Sequence, residues 1–452
     1  MNKRVMGLLI AFLMAGVLVV AIYAASGNGS SWIGAQPAVK VSPDNNVLAE
    51  SNLALGPDNR VTVIWSTAAA PHGVFLAQTQ GNGWTTTPWA STGNLETWNP
   101  VVAYSGTKAI TAWAQGAVRN NRSTPRAVMQ KDEGDLNAQT IITPVFGNVE
   151  IGLVVAPTGM HMIFAATTNA DTTGYPWDLY YTHRYLTETM WAAPTVVITH
   201  AQVIPPEARI AGMTASIYEP RLAVNHDGTQ LHIVWQQEHI VTTPDPMNPT
   251  TSFTLTTWYV SGSWQSGHIN WAAPQQMSPP AQKYTIRPNV AVGPTGKVHI
   301  VWTELIVGGG GITRPVEQYI NYRQLGGPAA TRISDAAIMV NAQQPTRAAA
   351  SIALRDNRMC VAWHGFYTGD KEEIIMSCSQ NEGTTWSSLI NVAESPTLLS
   401  FFPTARIDAA NQVHVAWTEY SLVGTSLVPS GLYYRTGSSE MARIFLPLVL
   451  RR

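Results

Sequence analysis

The chain has 452 residues, 45% apolar and only 12% charged, with a formal net charge of −1. That balance offers no basic stripe for a nucleic-acid partner. The low charge, together with 16 Trp, 35 Gly and 29 Pro, points to an all-β chain with many turns and little helix.

Residues 1–26 are unlike the rest. Lys3 and Arg4 precede an almost unbroken apolar run from Val5 to Ala25, and Ala24, Ala25 and Ser26 offer small residues for cleavage. The run reads either as a cleaved signal peptide or as an uncleaved N-terminal anchor, since it is just long enough to span a bilayer. Both readings place residues 27–452 outside the cytoplasm, extracellular or at the cell surface. The membrane is touched only through this segment, and only if it stays attached.

From Asn52 onward one pattern recurs: an apolar alternation, a tight polar turn, and a second apolar run ending in an aromatic. Its seven copies are Asn52–Trp65, Pro100–Trp113, Ile151–Phe164, Pro220–Trp235, Pro288–Trp302, Ile352–Trp363 and Pro403–Trp417. Alternation predicts strands, and Pro-Asp-Asn, Asp-Gly or Pro-Thr-Gly predicts the turn of each hairpin. A third strand rich in Tyr and Ile follows, as in Asp178–Thr182, Gln318–Tyr322 and Glu373–Ser377. A fourth segment often opens on Trp with Pro three residues on, as in Trp191–Pro194 and Trp271–Pro274. Four strands per repeat, at intervals of about 50 to 70 residues, predict a single β-propeller of seven four-stranded blades over residues 27–440.

The last repeat has a third strand, Gly431–Arg435, and no Trp-initiated fourth. Trp32–Ser42, with Pro37–Val41 at its centre, is the expected replacement, so that an N-terminal strand closes the ring and leaves no open edge.

Connections between the second and third strands, and from one repeat to the next, are the long ones, and they share one face. Long loops on a rigid scaffold carry function. The Gly308–Gly311 tract lacks a phosphate-loop ending and is read as a flexible loop. Glu304 and Glu419, in a repeated Trp-Thr-Glu, and Glu238 leave their second strands on this face. Arg221 and Arg287 flank the Pro that opens an inner strand, and Arg347 and Arg406 stand near the starts of the last two repeats. Tyr175, Trp177, Tyr367 and Tyr420 are the loop aromatics suited to stacking on a ligand.

His161, His232, His299 and His414 share one repeat position. Each sits in its own blade, which fits satisfied core histidines better than a metal set. No metal or cofactor is expected. Cys360 and Cys378 stand opposite each other on adjacent strands, which permits either a disulfide in an oxidising compartment or two buried thiols. Residues 441–452 form a short apolar and basic tail, either a sorting signal or a strand docked on the rim.

In the sixth repeat the turn between the third and fourth strands reads Ser379-Gln-Asn-Glu-Gly-Thr-Thr-Trp386. It resembles the Asp-box, S-x-D-x-G-x-T-W, of sialidase-type (BNR) propellers, with Asn381 in the Asp position. Ser379, Asn381, Gly383 and Trp386 are its structural residues. The resemblance implies the fold. For sialidase activity it implies three Arg clamping a carboxylate, a Tyr nucleophile activated by a Glu, and an Asp acid–base. Arg221, Arg287 and Arg347 with Glu304 or Glu419 and Tyr420 are the nearest such set, and the family's Arg-Ile-Pro signature is absent. The reading adopted is a monomeric recognition propeller binding glycan or protein on its long-loop face. The alternatives are a sialidase-like exo-glycosidase and a structural envelope protein.

Overall fold

The computed structural model describes residues 32–439 apart from 49, 82, 119–120, 171–176, 204–212, 243–250, 266, 280–281, 283, 308–314, 335–337, 340–347, 367–370 and 425. The N-terminal apolar segment, the C-terminal tail, the Gly308–Gly311 tract, Tyr175, Arg347 and Tyr367 therefore lie outside the described residues. Among the described residues the chain is all-β, with one short 3-10 helix at His200–Val203.

The strands form six hydrogen-bonded sheets, numbered here in chain order. Sheet 1 begins with Ser51–Leu55, sheet 3 with Met213–Val224, sheet 4 with Thr285–Val292, sheet 5 with Ala350–Arg355 and sheet 6 with Leu399–Ile407. These five are four-stranded blades, with one further short strand on sheets 3 and 4. Sheet 2 has seven strands, from Glu96–Ser105 to Thr195–Ile198. It differs from the expected pair of separate blades because one strand, Gln139–Ala156, serves two neighbours. Its first part pairs with Arg126–Asp132 and its second with Gly159–Thr167. The inner strands lie against one another in chain order, and Leu399–Ile407 lies against Ser51–Leu55, so the ring is propeller-like.

The N-terminal strand is short. Val39 and Lys40 pair with Tyr434 and Tyr433 on the outer strand of sheet 6. Side chains lengthen the seam: Trp32 Nε1 donates to the Ser438 carbonyl at 3.0 Å, and the Leu432 amide donates to Ser42 Oγ at 3.0 Å.

Each hairpin's closing aromatic is core. Trp65, Trp113, Phe164, Trp235, Trp302, Trp363 and Trp417 are all fully buried, and truncating one to Ala would cost about 3–5 kcal/mol. The four histidines are core as well. Their Nδ1 atoms meet Tyr181, Tyr259, Tyr322 and Tyr434 hydroxyls at 2.7, 2.8, 2.8 and 2.6 Å. Burial pulls His161, His232 and His299 down to about 4, so they are neutral at physiological pH.

Cys360 and Cys378 are directly paired across their strands and joined by a disulfide. The neighbouring turn folds around Asn381. Its Oδ1 accepts from Ser379 Oγ and from the Thr385 amide, both at 2.9 Å, and the Gly383 amide donates to Ser379 Oγ at 2.8 Å. Gly383 has φ +82°, where a Cβ would collide with the Tyr322 hydroxyl. Trp386 then packs edge-on against Tyr322 of sheet 4, centroids 5.2 Å apart, which couples two blades.

Candidate functional site

The inner strands leave a central channel of about 640 Å³. At four of its walls the inner strand carries the same device. Asn99, Glu219, Arg287 and Phe402 each precede a proline and have φ of +50°, +49°, +52° and +56°. At each the ladder register shifts. A bulge of this kind re-aims the side chain, and left-handed φ in a non-Gly residue costs on the order of 1 kcal/mol. Four repeats of that strain turn four side chains toward the mouth. By ladder register the complete first layer is Glu50, Asn99, Glu150, Glu219, Arg287, Ala349 and Phe402, all lining the channel.

A side cavity of about 330 Å³ opens beside the mouth and shares Glu150, Glu219 and Arg287 with it. Its other walls include Arg122, Asn148, Tyr218, Gln236 and Glu238. The electrostatics here are uneven. Arg287 Nε stands 3.5 Å from Glu219 Oε1, and its guanidinium lies 4.9 Å from the Phe402 ring centroid. Glu150 is buried, and burial first, then the neighbouring Glu219 and Glu50, push its carboxyl well above the usual range against the pull of Arg221. Asn148 Nδ2 donates to Glu150 Oε1 at 2.7 Å, while Oε2 is buried with no hydrogen-bond partner among the described residues. Burial thus favours the protonated form of Glu150, while Arg221 and a Glu219 backbone hydrogen bond favour the ionised one less strongly. Tyr218 donates to Glu238 Oε1 at 3.2 Å, and burial together with that carboxylate raises its phenol. A buried carboxyl raised above its usual range, a second carboxyl beside it and a Tyr–Glu pair, in one cleft, can transfer protons.

Several sequence-derived candidates meet at this site and several do not. Arg221 and Arg287 line the channel, and Glu238 lines the side cavity. Glu304 and Glu419 line neither cavity, which corrects the expected rim position. Glu304 is buried and accepts from Arg332 Nη2 at 3.1 Å. Glu419 accepts from Trp417 Nε1 at 2.6 Å and Ser400 Oγ at 3.0 Å. Glu419 is held by Trp417 on its own strand and Ser400 on the adjacent one, and Glu304 by Arg332 on the outermost strand of its sheet. Tyr420 is buried edge-on against Phe401 at 5.4 Å. Trp177 is fully buried, 4.6 Å from Tyr218 and 5.1 Å from the Arg122 guanidinium. It supports Tyr218 from behind and is no stacking platform. Glu150, Glu219, Tyr218 and Arg122 were absent from the sequence-derived set. The signal that could have found Glu219 is its place directly before the proline that opens an inner strand, the position Arg287 holds in the next repeat.

No family model matches the sequence, and no curated protein is similar to it in sequence. Solved structures are similar in fold. A polysaccharide lyase of the PL25 ulvan lyase family, bound to -[GlcA(1-4)Rha3S]-, is 12% identical with a TM-score of 0.59, over 91% of this chain and 95% of that one. The polysaccharide lyase Uly1 is 9% identical with a TM-score of 0.53, over 90% and 100%. A Trypanosoma rangeli sialidase is 10% identical with a TM-score of 0.44, over 90% and 59%. At these identities the likeness to the two lyases is one of fold: an all-β propeller.

Proposed function

We propose that this chain is an exported, seven-bladed propeller enzyme that cleaves glycosidic bonds in an anionic glycan at the channel mouth. The observation that carries the reading is Glu150, a buried carboxyl bonded to Asn148 beside the Arg287–Glu219 pair, whose proton burial holds more tightly than usual. Glu150 donates its proton to the departing glycosidic oxygen. As the glycosidic bond breaks, the Tyr218 oxygen bonds to the anomeric carbon and its phenolic proton passes to Glu238; water, deprotonated by Glu150, then displaces Tyr218, which regains its proton from Glu238. Arg287 and Arg221 hold the substrate's carboxylate or sulfate, a planar or tetrahedral anion suited to guanidinium. The propeller lyases of similar fold act on polysaccharide by their descriptions, which favours this enzyme reading over a recognition propeller without catalysis.

Seven blades follow if sheet 2 is divided within its shared strand. Gly147 supports the division: it has φ +96° and sits where that strand leaves one neighbour for the other. The Asn381 turn is read as a degenerate Asp-box, supported by its hydrogen bonds to Ser379 and Thr385. Export rests on Lys3, Arg4 and the apolar run after them.

The test is a panel of anionic polysaccharides and sialosides offered to residues 27–452. New reducing ends are measured in parallel with the absorbance of unsaturated uronyl products, which separates hydrolysis from elimination. Turnover that falls about a hundredfold or more in Glu150→Gln supports the assignment. Saturable binding without turnover on any substrate would replace it with the recognition reading.

A further inference from the structure

Deeper in the channel, ladder register identifies one equivalent position on every inner strand: Ala54, Ala103, Val154, Ala223, Ala291, Ala353 and Arg406. All seven line the cavity. Six repeats place a methyl or isopropyl group there, and the last places a guanidinium. Small side chains on the other walls leave this layer open around Arg406. Among the described residues that side chain makes one hydrogen bond, Nη1 to its own neighbour's carbonyl at Ala405, 2.8 Å away, and no ion pair. A guanidinium has five N–H donors, so most of its capacity faces the channel.

The charge around it is not balanced. The channel is lined by Arg221, Arg287, Arg355 and Arg406 against Glu50, Glu150 and Glu219. Four guanidinium groups face three carboxyl groups, and burial disfavours the charged form of one of the three, Glu150. Burial lowers Arg406 to about 10 and is the only influence on it, so the group stays charged at physiological pH. A charge removed from bulk solvent without a counter-ion is costly. The polar side chains of the adjacent layer do not relieve it. Ser351 Oγ accepts from the Ala405 amide at 3.0 Å, and Thr404 Oγ1 donates to the Ser51 carbonyl at 3.0 Å.

We propose that the interior of the channel is an oxyanion site with Arg406 as its principal ligand, taking a sulfate- or phosphate-sized group. The group arrives either as the free inorganic ion or as the ester on a glycan end. The site is separate from the proton donor at the mouth, so its failure would leave the cleavage reading standing, and the reverse holds too.

The experiment is thermal unfolding of residues 27–452 with sodium sulfate titrated against sodium chloride at matched ionic strength. A parallel arm uses a sulfated monosaccharide in place of sulfate. At a ligand concentration about a hundredfold over Kd, the melting temperature should rise by about 3 °C. Arg406→Gln should abolish the rise, and equilibrium dialysis with labelled sulfate should fall from one ion per wild-type chain to none. If Arg406→Gln does not fold, Ala291→Asp sets a carboxylate in the same layer. It should fold, melt higher than wild type without sulfate, and no longer respond. A response to either probe that requires Arg406 supports the site and identifies the source. An equal rise in wild type and variant, or no rise with either probe, would overturn it.

Discussion

At the scale of single residues, the working end of this molecule is made by backbone strain. Arg287 and Glu219 reach the mouth because their φ angles are left-handed, a conformation that glycine adopts without penalty and they do not. Arg287→Gly should therefore lower glycan turnover about a hundredfold or more while leaving the melting temperature unchanged or higher, the trade expected where strain serves function. Scanning calorimetry beside the activity assay checks both halves. The core histidines give a second prediction at this scale. His299 is buried and sits at about 4, below its ordinary value near 6.5. The unfolded chain thus takes up a proton that the folded chain refuses. The stability contributed by neutral His299 is complete above about pH 6.5 and is lost as pH falls toward 4. Chemical denaturation of His299→Gln and wild type at about pH 8 and pH 5 should show the gap between them narrowing by about 2 kcal/mol at the lower pH. A gap that does not change would mean His299 titrates normally.

At the scale of elements, what could be read from the sequence followed from what a strand requires locally. The seven hairpins showed through period-two alternation and a closing aromatic. The facing cysteines showed because their strands run antiparallel at a fixed register. Closing the 18-residue separation between Cys360 and Cys378 contributes about 3 kcal/mol in the chain-entropy model. Reduction, or Cys360→Ala with Cys378→Ala, should lower stability by about that much without loss of fold, measured by urea unfolding with and without reductant. Placement beyond the strand was harder to read. Glu304 and Glu419 end their strands on the predicted face, yet sequence could not tell that Arg332, Trp417 and Ser400 would hold them inward. Glu150 stayed hidden because its shift arises first from burial and then from Glu219 and Glu50, surroundings that only the assembled ring creates.

At the scale of the whole molecule, the ring depends on a small seam. Among the described residues Val39 and Lys40 pair in the ladder with the last sheet, backbone bonds join Ile33 to Ser438, Gln36 to Thr436 and Val41 to Leu432, and Trp32 and Ser42 anchor the ends of the strap. Deleting residues 32–42 should expose the edge of Ser426–Ser438 and give aggregated or unfolded protein by size-exclusion chromatography. A soluble monomer with unchanged melting would show that the ring closes without it. Closure matters for function because the mouth draws its charged groups from several inner strands at once. The account stands most directly on the pH–rate profile of residues 27–452 on a cleaved anionic glycan, compared with Glu150→Gln. Wild-type activity should persist at neutral pH and fall on an alkaline limb as Glu150 ionises, above the ordinary carboxylate range. The variant should be slower by about a hundredfold or more and lack that limb. A Glu150→Gln enzyme with wild-type turnover and the same profile would contradict the account.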